Sequence, residues 1–286
     1  MSGSKIRNIA IVALVLVNAL FLSVIIIDAV DDARAQRASV ENISAILQAN
    51  GISIEPDVIR ATDALRTMRT ARVIEVEESI ARALLGETVI TDQGVIYLYE
   101  NAERGIAEFY SGGDFEIRLN VPNTVEWSPY VITDDGGALN AVRAVLRDMG
   151  IEATHLTNYT CPERYFDIVT AVVAYRGASI FNCTIEFVFS AGFLVTVSGR
   201  YVAGVEPAEN GAELSNVASA LLRFMAAVRD GDRQDIICTE IMSIEAGFRH
   251  RVVGAFGEGV IEPVWLIMTD NGSFMIDDAT GEIWRT

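Results

Sequence analysis

The chain contains few of the side chains from which most catalytic and metal sites are built. Its 286 residues include two histidines, His155 and His250, and three cysteines. The cysteines are widely spaced and form no CxxC pair and no cluster with histidine, so a zinc site is not predicted. GxSxG, HExxH, P-loop and GxGxxG motifs are absent as well. We therefore expect no catalytic residue, no metal site and no cofactor.

Positive charge is also scarce. The chain has 22 Lys and Arg residues against 39 Asp and Glu residues, which gives a formal net charge of −17 at pH 7. Lysine occurs once, at Lys5, and the other positively charged side chains are arginines. Because binding to a phosphate backbone needs clustered Lys and Arg, we expect no nucleic-acid partner. The acidic surplus equally disfavours a domain that lies flat on an anionic lipid surface.

The 20 residues from Asn8 to Ile27 carry no charged side chain of either sign. At about 1.5 Å per residue, a helix of this length spans roughly 30 Å, the thickness of a bilayer's hydrocarbon core. The run therefore predicts a transmembrane helix at 8–27 that follows a cytoplasmic tail at 1–7. Lys5 and Arg7 favour the tail inside, which places the rest of the chain outside the plasma membrane.

A cleaved signal peptide is the alternative interpretation of this run. Ala33, Arg34 and Ala35 fit the small-x-small pattern of a cleavage site. The apolar run is longer than the usual secretory core of about 7–15 residues, however, and three aspartates separate it from that site. We therefore expect a retained, single-pass anchor with an extracytoplasmic C-terminal domain.

Asn18 lies in the middle of the apolar run, where an amide side chain gains from a hydrogen-bonding neighbour. The small residues Ala13 and Ala19 would let a second helix approach closely. These three residues are candidate partner contacts. The alternative is that Asn18 is an isolated, tolerated amide.

The rest of the chain alternates between helical and extended patterns. Apolar residues at helical spacing predict helices near 40–50, 75–85, 139–149 and 213–229. A glycine directly follows each of the first three ranges, as at many helix ends. Segments in which apolar and polar residues alternate, or which are joined by short turns, are predicted to be strands. They are 95–99, 105–110, 115–119, 165–175, 180–189, 193–201, 237–248, 263–269 and 273–277. The helix at 213–229 should bury Leu221 and Phe224.

This alternation predicts an α+β fold of repeated units, each a helix followed by an antiparallel meander. The segment at 43–55 can be laid over 142–154 without gaps, which supports a repeat. The predicted parts are an N-terminal extracytoplasmic domain at 38–125, a middle unit at 134–204 and a C-terminal unit at 211–286.

A short basic segment stands out in the acidic chain. Arg249, His250 and Arg251 follow one another at the end of a predicted strand. They are either a contact for a partner protein or an exposed strand end.

The C-terminal segment resembles the closing hairpin of PepSY-like domains. The residues that carry this resemblance are the apolar strand and turn in PVWLIMTDNGSFMID and the ending at 278–282, Asp-Ala-Thr-Gly-Glu, which is one residue shorter than the PepSY pattern. The upstream strand, with Gly247 before Phe248, is similar to a PepSY strand that ends in a Gly-aromatic pair.

The whole chain resembles the YycH/YycI regulatory proteins of Gram-positive bacteria. The resemblance adds the opening Ser-Lys-Ile-Arg at 4–7, the single apolar run and a helix that leads into Asn50, Gly51 and Ile52. It implies a non-enzymatic, membrane-anchored regulator of the sensor histidine kinase of a cell-wall two-component system. The expected partners are that kinase and a sibling regulator.

Two other functions stay open at this point. The PepSY-like ending is also compatible with an inhibitor or chaperone of an exported hydrolase. The third candidate is a domain that senses wall fragments.

Overall fold

The computed structural model describes residues 41–55, 58, 64–120, 131–132, 137–161, 166–229, 237–254, 257–277 and 280–286. The predicted transmembrane helix at 8–27, and with it Ala13, Asn18 and Ala19, lies outside these residues. Within the described ranges, no helix is both long enough and apolar enough to cross a membrane.

Strands predominate in the described ranges. The helices are α1 (41–49), α2 (Ile74–Leu85), α3 (Gly137–Met149) and α4 (Val217–Arg229). The strands are β1 (Ser53–Ile54), β2 (Met68–Thr70), β3 (Val89–Asp92), β4 (Ile96–Asn101), β5 (Gly105–Tyr110), β6 (Asp114–Leu119), β7 (Ala153–Cys161), β8 (Phe166–Tyr175), β9 (Ala178–Ser190), β10 (Phe193–Arg200), β11 (Glu206–Pro207), β12 (Glu240–Val252), β13 (Gly259–Thr269), β14 (Gly272–Asp277) and β15 (Ile283–Arg285).

The chain divides into two compact units, and neither is continuous in sequence. Unit 1 comprises Met1–Arg60, Asn216–Ser243 and Thr269–Asn271. Unit 2 comprises Ala61–Ser215, Ile244–Met268 and Gly272–Thr286.

Unit 2 is built on a mixed sheet. The strand order is β11-β2-β13-β12-β9-β10-β6-β5-β4-β3, and β7, β8, β14 and β15 pair off this path. The long strand β9 is antiparallel to β8 and β10 but parallel to β12, which it meets at Ile180 and Phe248. The sheet thus combines strands from distant parts of the chain.

The predicted fold class, repeated helix-plus-meander units behind a membrane helix, is wrong. Strands that were assigned to different repeats hydrogen-bond to each other: Ile117 of β6 pairs with Val197 of β10, and β9 pairs with β12. Alternation along a strand identifies a half-buried strand but not its partner. Because the outer strands of the predicted meanders have free hydrogen-bonding groups, they join in one sheet instead of ending separate units.

One face of the sheet in unit 2 is covered by apolar side chains that pack with α2 and α3. Along β9, Cys183, Ile185, Phe187 and Phe189 are buried and alternate with more exposed residues, which is the period of a strand. Helix α2 adds Ile80 and Leu85, both fully buried, and α3 adds Val142 and Val145. The four rings of Tyr99, Phe109, Phe115 and Tyr201 form a connected aromatic cluster in this core.

Unit 1 contains α1, β1, α4 and the first residues of β12. Strand β1 is parallel to β12, with Ser53 opposite Glu240 and Ile54 opposite Ile241. Leu221 and Phe224 of α4 are fully buried, as their helical spacing predicts.

Candidate functional site

Unit 2 contains a solvent-open groove of about 470 Å³. This volume is within the range of roughly 300–1,000 Å³ that is typical of small-ligand sites. Its apolar wall includes Leu65, Met68, Tyr175 and Phe248, which belong to or pack against the core of the unit. Two arginines, Arg66 and Arg176, also line it. We call this feature the Arg66–Arg176 groove.

The backbone beside the groove is already hydrogen-bonded within the chain. The amide of Thr67 donates to the carbonyl of Ala212 at 2.9 Å, and the amide of Leu214 donates to the carbonyl of Leu65 at 2.9 Å. The amide of Ala208 donates in turn to the carbonyl of Thr67 at 3.3 Å. Because these groups are paired, this part of the rim presents side chains to a ligand and not free backbone amides.

The position of Arg176 is fixed by the turn between β8 and β9. Tyr175 is opposite Ala178, and the two residues between them, Arg176 and Gly177, have φ values of 50° and 80°. Positive φ at both central residues is what a type I′ hairpin turn requires.

The guanidinium carbon of Arg176 lies 5.3 Å from the centre of the Tyr175 ring. Arg176 is exposed and has no acidic partner in the described ranges.

Arg66 differs from Arg176 because it forms an ion pair with Glu213. The two side chains are 66% and 53% exposed, so water screens their attraction. Exposed pairs of this kind contribute about 0–1 kcal/mol. The guanidinium of Arg66 is therefore available to a bound anion at little energetic cost.

A second polar cluster lies inside unit 2 and has a buried carboxylate at its centre. Glu77 is fully buried in α2 and receives hydrogen bonds from Arg72, from Nε at 2.6 Å and from Nη2 at 3.0 Å. The hydroxyl of Tyr201 donates to the same carboxylate at 2.7 Å. Burial, followed by the negative charge of Glu77, raises the pKa of Tyr201, so this hydroxyl stays protonated and remains a donor.

Arg72 also links the cluster to the sheet. Its guanidinium donates to the carbonyl of Phe109 at 3.0 Å and lies 4.6 Å from the centre of the Tyr97 ring. The hydroxyl of Tyr99 is buried nearby without a hydrogen-bond partner in the described ranges, and burial raises its pKa to about 12. These contacts hold α2 to the sheet.

His250 points into the interior of unit 2 and is 6% exposed. Its Nε2 is 3.3 Å from the hydroxyl of Thr70. The side chain of Asn182 makes two hydrogen bonds of 2.8 Å to the backbone of His250: its Nδ2 donates to the carbonyl of His250, and its Oδ1 accepts from the amide of His250. Burial, and then the positive charge of Arg200, lowers the pKa of His250. The imidazole is therefore kept neutral.

A small cavity of about 20 Å³ is lined by residues of both interior clusters, among them Arg72, Tyr201 and His250. A cavity of this size admits about one water molecule. This cavity therefore has no room for a substrate.

The structure separates the three residues of the predicted basic segment. Arg249 stacks on Trp284, with its guanidinium carbon 3.9 Å from the ring centre, and Arg251 forms an ion pair with Glu262 at 2.5 Å. His250 between them is buried, as strand alternation requires. A partner contact at this segment stays a prediction, and it would involve Arg251, which is exposed, and the half-buried Arg249 rather than His250.

Sequence analysis did not identify the groove or the Glu77 cluster. For Glu77 a signal exists, because it shares a helix face with Ile80, Ala81 and Leu84, and an acid on an apolar face needs a partner. The groove has no such signal, since its lining comes from four separate segments of the chain.

No family model matches the chain, and no curated protein matches it significantly. Among solved structures, the chain is similar to the crystal structure of an uncharacterized protein from Eubacterium rectale, with a TM-score of 0.51 and 13% sequence identity. The match covers 82% of this chain and 90% of that one. At this identity, the similarity shows the fold alone.

Proposed function

We propose that this chain is a non-enzymatic regulator that is held at the plasma membrane by its apolar N-terminal run and binds a sensor histidine kinase of a cell-wall two-component system. The regulatory contacts are made between proteins, by the N-terminal run and by the extracytoplasmic part of the chain.

The observation that favours binding over catalysis is that charged side chains of unit 2 are bound to one another. Glu77 is bound by Arg72 and Tyr201, and Arg200 is bound to Asp114 by two hydrogen bonds of 2.8 Å. Such groups cross-link the fold, and the cavity that Arg72 and Tyr201 line has room for about one water molecule. The open groove, by contrast, offers arginine and apolar side chains, which are groups for recognition.

The identity of the partner rests on the sequence. The uncharged run from Asn8 to Ile27 has the length of a membrane anchor. The resemblance to the YycH/YycI proteins names a sensor histidine kinase as the protein that such an anchored chain regulates.

The test is affinity capture of the full-length chain from membranes of its own host, followed by identification of bound proteins by mass spectrometry. We expect a sensor histidine kinase to be enriched. Enrichment of an exported hydrolase without a kinase would contradict the proposal and favour the inhibitor or chaperone function, and enrichment of neither would also contradict it.

Two variants locate the contact. Asn18→Leu should leave membrane insertion intact but reduce kinase capture, because an amide in hydrocarbon gains from an interhelical hydrogen bond of roughly 1 kcal/mol. The double variant Arg249→Gln and Arg251→Gln tests the basic segment. If both variants capture the kinase as the native chain does, neither segment is the contact.

A further inference from the structure

We propose that the Arg66–Arg176 groove is a binding site for a small amphipathic monocarboxylate, a compound with one carboxylate on a compact apolar body. This proposal goes beyond the regulatory function and does not depend on it, since it concerns a site within unit 2 alone.

The apolar part of the ligand is set by the groove wall. Leu65, Met68, Tyr175 and Phe248 present aliphatic and aromatic surface, and Tyr175 and Phe248 pack edge to face with ring centres 6.4 Å apart. Burying apolar surface against such a wall is favourable because it removes that surface from water. The wall therefore selects a ligand with an apolar body.

The charge of the ligand is set by the two arginines. In a chain with a formal net charge of −17, this groove presents two guanidinium groups. In the part of the chain that the structure describes, Arg176 has no acidic partner, and the one ion pair of Arg66 is an exposed pair with Glu213. Because a guanidinium matches a carboxylate with two parallel hydrogen bonds, these groups select an anionic head.

Tyr175 contributes a third donor. It lines the groove, and its hydroxyl makes no hydrogen bond within the described ranges. A hydroxyl that lines the same groove as two guanidinium groups suits a carboxylate, which accepts several hydrogen bonds at its two oxygens.

The backbone of the rim argues for a small molecule and against an added peptide strand. The outermost strand here, β11, is a poor edge for strand addition because it is two residues long and its Pro207 has no amide. The amides of Thr67, Ala208 and Leu214 already donate to carbonyls of the chain. The volume of about 470 Å³ also fits a small ligand.

The test uses three compounds that share one body and differ in the head group: 4-phenylbutyrate, 4-phenylbutanamide and 4-phenylbutylamine. Binding of each to the full-length chain in lipid nanodiscs is measured by saturation-transfer NMR, with empty nanodiscs subtracted. We expect binding in the order anion, neutral amide, cation, with the anion about tenfold tighter than the amide, as one charge-assisted hydrogen bond predicts.

Variants assign this preference to the groove. Arg176→Gln and Arg66→Gln should each reduce the preference for the anion over the amide, and Tyr175→Phe should do so to a smaller extent. Arg143→Gln is the matched control, because Arg143 is an exposed arginine on α3 that does not line the groove. Ala208→Phe should reduce binding of all three compounds by filling the groove, and an unchanged melting temperature confirms that the variant is folded.

Three results would overturn the proposal: equal binding of the amine and the anion, an anion preference that survives both arginine substitutions, or no binding above empty nanodiscs. Tighter binding of an acidic peptide, acetyl-Leu-Leu-Glu, than of 4-phenylbutyrate would also overturn it, since the occupant would then be a peptide. Failure of kinase capture has no bearing on these measurements, so the two proposals can fail separately.

Discussion

Single residues in the interior of unit 2 carry more of its stability than exposed charges do. Glu77 keeps a fully buried carboxylate because Arg72 and Tyr201 satisfy it. We expect Arg72→Met to lower the free energy of unfolding by about 3 kcal/mol or more, because it leaves a buried charge with too few donors. Urea unfolding, followed by tryptophan fluorescence, measures the change.

The control for this prediction is the exposed pair of Arg82 and Glu78, which are one helical turn apart on α2. Arg82→Met should cost less than about 0.5 kcal/mol. Equal losses in the two variants would show that burial does not distinguish the pairs.

His250 makes stability depend on pH in a defined direction. Burial and Arg200 lower its pKa in the folded chain, whereas the unfolded imidazole titrates near 6.5. The unfolded state therefore binds more protons as the pH falls through about 6.5, and the free energy of unfolding decreases. We expect the urea midpoint to fall more between about pH 7.5 and pH 5 in the native chain than in His250→Gln. A parallel fall in both would contradict this role.

At the scale of residues, burial on helices and strands follows from the sequence, but the polar partners do not. Leu221 and Phe224 are buried as their spacing indicates. Glu77 and Tyr201, by contrast, are 124 positions apart and meet only because β10 leads back to the same core. Local patterns carry no information about such a contact.

At the scale of elements, the turn between β9 and β10 contains a residue that is unsuited to its backbone. Ala191 has φ 49° and Gly192 has φ 84°, between the paired residues Ser190 and Phe193. A left-handed conformation costs a residue with a Cβ roughly 1–2 kcal/mol, and Asn tolerates it better than Ala. Ala191→Asn should therefore raise the melting temperature, whereas Ala191→Val should lower it, and calorimetry can measure both.

Most of the longer elements were predictable, whereas the shortest strands and the nine-residue strand β7 were not. Strand β5, at Gly105–Tyr110, lies where the sequence predicts it, and α4 begins four residues later than predicted. The three-residue strand β2 has no period of its own and is defined by its neighbours β11 and β13. Strand β7 carries mostly polar residues, so its pairing with β8, and not its composition, makes it a strand.

At the scale of the whole molecule, the order of strands in the sheet differs from their order in the sequence. Strands β12 and β13 come from the last fifth of the chain but lie between β2 and β9. A chain truncated after Ser215 lacks both. We expect it to lose cooperative thermal unfolding, measured by circular dichroism, because the sheet is interrupted at that position.

The matched control removes residues 283–286, which include β15. This strand pairs only with β14, off the main path of the sheet, so its loss should lower the melting temperature and leave the transition cooperative. A cooperative transition in the chain that ends at Ser215 would show that the sheet does not need its two C-terminal strands.

The position of β12 and β13 also has a consequence for synthesis on the ribosome. Chains emerge from the amino terminus, and contacts between distant segments form late. Until about residue 270 has left the ribosome exit tunnel, β2 and β9 have no permanent neighbours on the sides that β13 and β12 later occupy. The nascent chain therefore presents each of these strand edges from the synthesis of the strand until the last segment arrives, which makes it a substrate for holding chaperones during that time.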